Sequence, residues 1–156
     1  MSAQTILYVE DEENDVIFMR HAWEQAGLAG SLQVATDGEQ ALKYFSGEGQ
    51  YANRDAHPLP CLVLLDLKLP KLSGLEVLKW IRQHPALYTL RVLILSSSNQ
   101  PLDIHEAYAR GANAFLVKPS NVDELAAMAA SVKDFWLTRA QTPPECLLFK
   151  DEFRQR

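Results

Sequence analysis

The sequence predicts a doubly wound α/β fold, one parallel sheet with helices on both faces, and three observations lead there. Short apolar runs alternate with segments of helical period along most of the chain. The runs CLVLL and RVLIL are apolar at nearly every position rather than at every second one, the pattern of strands buried on both faces. Successive runs are separated by helices instead of two-residue hairpins, so neighbouring strands pair in parallel through right-handed crossovers.

Taken in order, residues 5–9 form a first strand that stops abruptly at Glu10, Asp11, Glu12 and Glu13. Residues 14–27 form a helix, with Val16, Ile17, Met19, Ala22, Trp23 and Ala26 at helical spacing, Asn14 or Asp15 as N-cap and Gly27 as stop. Strand 32–35 and helix 38–45 follow. Then comes SGEGQYANRDAHPLP, whose Gly, Pro, Asn and Asp content predicts a long surface loop. Strand 61–65, helix 74–83, strand 91–95, helix 102–110, strand 114–117 and helix 122–137 complete the alternation, the last opened by Ser120 or Asn121. In the last helix Val122, Leu125, Ala129, Val132 and Trp136 share a face, with Met128 and Phe135 off it. The expected domain is 1–138. The tail 139–156 carries Pro143, Pro144 and the apolar cluster Leu147, Leu148 and Phe149, a candidate dimer contact.

A chain of 156 residues, 47% hydrophobic, suffices for one core and is short for two. A net charge of -5 argues against nucleic acid as a partner. Two cysteines, Cys61 and Cys146, make no disulfide framework and fit a reducing, cytoplasmic setting. No basic leader with an apolar stretch and no run of membrane-spanning length is present in the sequence, so no membrane partner is expected.

In a parallel α/β sheet, ligands bind beyond the carboxyl ends of the strands. Polar residues end the apolar runs there: Glu10 and Asp11, then Asp66, Ser96 and Lys118. Carboxylates brought together from two strands repel by about 4 kcal/mol at 4 Å and an effective dielectric near 20. An oxygen-rich site without Cys or His suits a hard divalent cation such as Mg²⁺. Lys118 and Ser96 add a point charge and a hydroxyl donor for a phosphoryl group, with Asp66 as its acceptor.

The motifs YVEDE, LLDLKLPKLSG, VLILSSS and FLVKP, in this order, resemble the receiver domain of two-component response regulators over residues 4–137. The resemblance implies a flavodoxin-like sheet of strand order 2-1-3-4-5. It makes Asp66 the phosphoacceptor, with Glu10, Asp11, Asp66 and the backbone carbonyl of Lys68 as Mg²⁺ ligands. Ser96 and Phe115 become the switch pair, and Lys118 the phosphate-binding lysine. Glu10 stands where Asp is commoner, and KLPKLSG lacks an acid found before the Gly in many relatives. The long loop and lack of an output domain resemble the small regulators paired with bacterial phytochromes. That implies a sensor histidine kinase as phosphoryl donor, a bacteriophytochrome in that subfamily, with a histidine phosphotransfer protein as a further partner. Catalysis is expected only as self-catalysed phosphotransfer and slow autodephosphorylation, and the apolar last helix and tail suggest a homodimer.

Other readings are weaker. An Asp at one strand end is commonly a loop residue or cap, but five strand-end groups of the required types must then coincide. An Mg²⁺-dependent aspartyl-phosphate hydrolase carries a second acid two residues after the first, where this chain has Lys68. A dimeric scaffold that is never phosphorylated is expected to lack Asp66 or Lys118. Gly47, Gly49 and Ala52 follow a helix, not a strand, so they make no dinucleotide fingerprint, and Ser96–Ser98 lie in no nucleophile elbow. Packing in the strand is as good a reading of Phe115 as the switch, and Trp23, Trp80 and Trp136 are expected as core or interface.

Overall fold

The computed structural model describes residues 4–28 and 32–140. Cys146 and the tail cluster Leu147, Leu148 and Phe149 lie outside the described residues. Five parallel strands, β1 (Ile6–Val9), β2 (Leu32–Ala35), β3 (Leu62–Leu65), β4 (Arg91–Ser96) and β5 (Ala114–Val117), form one sheet in the order β2-β1-β3-β4-β5. The register aligns Val9 with Ala35 and Leu65, and Leu65 with Ile94. The helices are α1 (Glu13–Gln25), α2 (Gly38–Ser46), α3 (Gly74–Gln83), α4 (Pro101–Ala109) and α5 (Val122–Val132).

The central strands β1, β3 and β4 are almost continuously apolar because each feeds two cores, alternating with the period of the pleat. Leu7, Val9, Val63, Leu65, Val92 and Ile94 pack with Tyr44 and Phe45 of α2, Val77, Leu78 and Ile81 of α3, and Ala107 of α4. Ile6, Tyr8, Leu62, Leu64, Leu93 and Leu95 pack on the other face with Met19, Ala22 and Trp23 of α1 and Ala129 and Val132 of α5. Each such leucine or valine contributes about 1.5–3 kcal/mol on burial. With α1 and α5 on one face and three helices on the other, the chain reverses direction across the sheet at β1 and β3. The carboxyl ends of those two strands therefore frame the crevice.

Three elements differ from the sequence expectation. Helix α1 starts at Glu13, with Glu12 as N-cap and no side-chain cap bond, so Asn14 and Asp15 sit inside the first turn. The last helix is α-helical only to Val132 and continues as a π-helical turn, Lys133–Arg139, in which Ala140 N donates to Phe135 O at 2.7 Å. The wider period lets Trp136 and Leu137 both meet the core, Met128 packs there too, and Phe135 stays 55% exposed. Asn121 is the cap, its Oδ1 accepting from Glu124 N at 2.8 Å.

The predicted surface loop is the third. It contains a 3-10 turn, Gly49–Tyr51, and a closed centre. The Arg54 guanidinium donates to Tyr44 O and Phe45 O, both at 2.6 Å, and to His57 O at 3.3 Å, joining the Gly47 amide on Tyr44 O and tying the last turn of α2 to the loop. Tyr44, Tyr51 and His57 pack ring against ring beside it. A second guanidinium, Arg82 at the end of α3, donates to Tyr88 O, Leu90 O, Gly111 O and Asn113 Oδ1. It thereby ties α3 to the starts of β4 and β5. Both clamps lie at the amino ends of the strands.

Candidate functional site

Glu10 and Asp11 follow β1, and Asp66 follows β3, its amide donating to Val9 O at 3.2 Å so that the two strand ends stay level. Carboxylate oxygens of Glu10, Asp11 and Asp66 lie within 4.8 Å of one another. Glu10 is fully buried, Asp66 is 6% exposed, and Asp11 faces solvent. At that separation two ionised carboxylates repel by about 3 kcal/mol at an effective dielectric near 20.

Lys118, one residue past β5, is the cation that answers them. Its backbone amide donates to Ser96 O at 2.7 Å, which fixes the stem against β4. Its Nζ donates to Glu10 Oε1, to Asp66 Oδ2 at 3.1 Å and to Asp15 Oδ2 at 3.0 Å. Tyr8 Oη adds a bond to Glu10 Oε1 at 3.1 Å, and the amides of Asp11 and Glu12 donate to Glu10 Oε2 at 3.1 and 3.3 Å. Burial nevertheless pushes the Glu10 carboxyl up to about 7, outweighing the Lys118 bond, and the charge of Asp66 adds to the rise. Burial works against the charge of Lys118, but its bonds to Glu10 and Asp15 hold its pKa above the ordinary lysine value.

The loop after Asp66 is shaped by two close approaches. A Cβ on Gly74 would lie 2.1 Å from the Asp66 carbonyl oxygen, and one on Gly38 would lie 2.4 Å from Leu72 O, so α3 and α2 both press on this loop through glycine. Lys71 has φ 68°, a left-handed conformation that costs a lysine roughly 1 kcal/mol. Its exposed ammonium lies 3.5 Å from the largely buried Asp37 and 3.7 Å from the exposed Glu39, the latter a pair worth little on its own. Ser73 and Glu76 form a capping box that starts α3.

Most of the expected site residues converge. Glu10, Asp11, Asp66 and Lys118 form one cluster, and the Lys68 amide donates to Asp66 Oδ1 at 3.3 Å while its side chain is exposed. Ser96, 1% exposed at the end of β4, accepts from Ser98 N at 3.2 Å. Ser98 in turn donates to Asp103 in α4 at 2.5 Å, linking that strand end to the helix. Phe115 packs partly buried against the α2/α3/α4 core, and its amide donates to Tyr108 Oη at 3.1 Å. Two members of the site have roles that sequence reasoning missed. Asp15 is read from the sequence only as a cap, although it lies in the first turn of the helix that directly follows the acidic end of β1. Tyr8 is a lone hydroxyl in an aliphatic strand, a hint that a buried acceptor is near.

Chemically the donor set is all hard oxygen, with one lysine and no thiol or imidazole among it, and one acid open to water. It fits a divalent cation that keeps part of its hydration shell.

Residues 6–130 match the response regulator receiver domain. The chain belongs to this family. Response regulator Rcp1 of Synechocystis sp. is 33% identical over 140 residues, which cover 90% of this chain and 93% of Rcp1. The structure of a response regulator in red light signalling of R. palustris, RPA3017, superposes with a TM-score of 0.84 at 36% identity, covering 90% and 98% of the two chains. That of RcpA, a phosphorylated cyanobacterial phytochrome response regulator, gives 0.82 at 33% identity, covering 91% and 99%. A form of Rcp1 with bound Mn²⁺ has also been solved. This receiver domain is thus homologous to phytochrome response regulators, has the flavodoxin-like sheet of the family, and serves phosphorylation-dependent signalling in a two-component system with a histidine kinase as partner. Among the described residues, no helix is long and apolar enough to cross a membrane.

Proposed function

We propose that Asp66 is the phosphoacceptor of a regulator that signals through protein contacts. One observation carries this reading: three carboxylates and one lysine, drawn from β1, β3 and β5, meet at the crevice of the sheet around a nearly buried Asp66. Glu10, Asp11, Asp66 and the Lys68 carbonyl would hold Mg²⁺. When bound, Mg²⁺ supplies positive charge against the clustered carboxylates and the phosphoryl oxygens.

The chain's own groups do the rest. A carboxylate oxygen of Asp66 attacks the phosphorus of a phosphohistidine, the P–N bond breaks, and the imidazole leaves with the electron pair. Lys118 donates an N–H to one transferred oxygen. Ser96, which already accepts a bond from Ser98 N, donates its hydroxyl hydrogen bond to another. Drawing Ser96 inward unloads the β4 to α4 connection, and Phe115 repacks into the space vacated. Autodephosphorylation returns Asp66 by attack of water on phosphorus, releasing inorganic phosphate.

The domain is taken as 1–138, with the tail 139–156 contributing to a homodimer. The setting is cytoplasmic, and the donor is a sensor kinase of the phytochrome class, in line with the relatives above. A histidine phosphotransfer protein is the further partner. The test is intact-mass measurement after incubation with acetyl phosphate and Mg²⁺. Wild type should gain one phosphoryl group and Asp66→Asn none; equal gain in both would remove Asp66 from the reaction.

A further inference from the structure

The Lys118 ammonium has three N–H donors, and each meets a carboxylate: Glu10, Asp66 and Asp15. Two of those acceptors belong to the metal and phosphoryl cluster. Asp66 loses its free carboxylate when it becomes an acyl phosphate, and Glu10 is drawn on by a bound cation. Asp15 stands outside the cluster, on the first turn of α1, with its side chain 39% exposed. It is the acceptor that stays the same before and after phosphorylation.

A lysine without that acceptor has somewhere else to go. Beside it lies a cavity of about 240 Å³ lined by Tyr8, Asp15, Phe18, Leu95, Lys118 and Asn121, among others. The backbone of Lys118 is fixed by its bond to Ser96 O, but its four-carbon stem is free to take other rotamers. Asp15 spans 103 residues of sequence to hold that stem to the crevice side of the cavity.

We propose that Asp15 is a positioning residue for phosphoryl transfer, holding the Lys118 ammonium at the phosphorylation pocket while its other acceptors change. The proposal rests on Asp66 as acceptor and Lys118 as the phosphoryl-binding group. With acetyl phosphate, an Asp66 oxygen attacks phosphorus, the bond from phosphorus to the acetyl oxygen breaks, and acetate leaves with the pair. Lys118 meets the charge on the moving phosphoryl oxygens. Asp15 touches neither reactant.

The test is a double-mutant cycle on the full chain, with phosphorylation by acetyl phosphate followed by intact mass at saturating Mg²⁺. Asp15→Ala should lower the maximal rate on the order of tenfold, part of the roughly hundredfold that a full 1 Å misplacement costs, because Glu10 and Asp66 still draw the ammonium. The Mg²⁺ concentration giving half-maximal rate should move by less than about threefold, since Asp15 is not a ligand. Asp15→Asn, which keeps an oxygen acceptor, should recover most of the rate. In a Lys118→Ala background, Asp15→Ala should change nothing further. A wild-type rate in Asp15→Ala, or the same loss without Lys118, overturns the proposal. Failure of wild type itself to gain a phosphoryl group would instead overturn the assignment of Asp66.

Discussion

Replacing Gly74 by alanine sets two effects against each other. At the first position of α3, alanine is the better helix former by about 1 kcal/mol. Against that, its Cβ would stand 2.1 Å from Asp66 O, 2.7 Å from Leu67 Cα and 2.9 Å from the Asp66 carbonyl carbon. All three are main-chain atoms, so no side chain can swing aside. Ordinary contact begins near 3.4 Å, and the first turn of α3 must therefore retreat by about 1.3 Å from the loop. The bond from Gly74 N to Leu67 O, 2.9 Å long, stretches with it. Overpacking costs about 1–3 kcal/mol and the weakened bond about 1, so the clash prevails by roughly 2 kcal/mol. Because the crowded atoms are the main chain of Asp66 and Leu67, any share of the shift they take up moves the acceptor, and the rate should fall as well, by up to about a hundredfold for a shift near 1 Å. Urea unfolding and acetyl-phosphate labelling would measure the two effects. Gly49→Ala is the control: its Cβ would meet nothing within 4 Å, and only its φ of 57° is at issue, so it should cost about 1 kcal/mol and leave the rate alone. A Gly74→Ala chain as stable and as active as wild type would refute the reasoning.

Three further outcomes follow from the geometry. In the metal-free protein, stability should fall as pH rises between about 4.5 and about 7, because over that window the folded Glu10 carboxyl binds a proton that the unfolded one has released; Mg²⁺ should abolish the trend, and thermal melts with and without it give the reading. Arg54→Ala should cost about 2 kcal/mol by freeing the carbonyls of Tyr44, Phe45 and His57, and Arg54→Lys should not restore it, whereas phosphorylation should be unchanged; urea midpoints check the first and mass labelling the second. Tyr108→Phe removes the acceptor of the Phe115 amide and should cost about 0.5–1 kcal/mol, with faster amide exchange at Phe115 seen by NMR.

Much of the fold is legible because two signals agree along it: unbroken apolar runs for doubly buried strands, and helical spacing between them. The site is legible for a related reason. Glu10, Asp66, Ser96 and Lys118 each end an apolar run, and topology gathers run ends. What escaped reading depends on contacts that no local window contains. The sequence around Arg54 has the composition of a loop, and its order comes from a guanidinium reaching back to α2. The role of Asp15 depends on α1 lying against the end of β5. The π-helical turn after Val132 is hidden because its residues continue an ordinary helical pattern.

The two arginine clamps give the sheet an asymmetry along its strands. Arg54 and Arg82 staple helix ends, the loop before β3 and the turn before β5 at one pole, using side-chain bonds that no ligand disturbs. The opposite pole carries the ion pairs of Lys118 with Glu10, Asp15 and Asp66, the groups proposed above to take up metal and phosphate. Motion on phosphorylation should thereby be confined to one end, as in a jaw hinged at its base. Amide exchange should remain slow near Leu90 and Asn113 whatever the state of Asp66, while the segments after β4 and β5 respond to it. Such a division lets the loop between α2 and β3 vary in length without retuning the chemistry, because it hangs from the fixed pole.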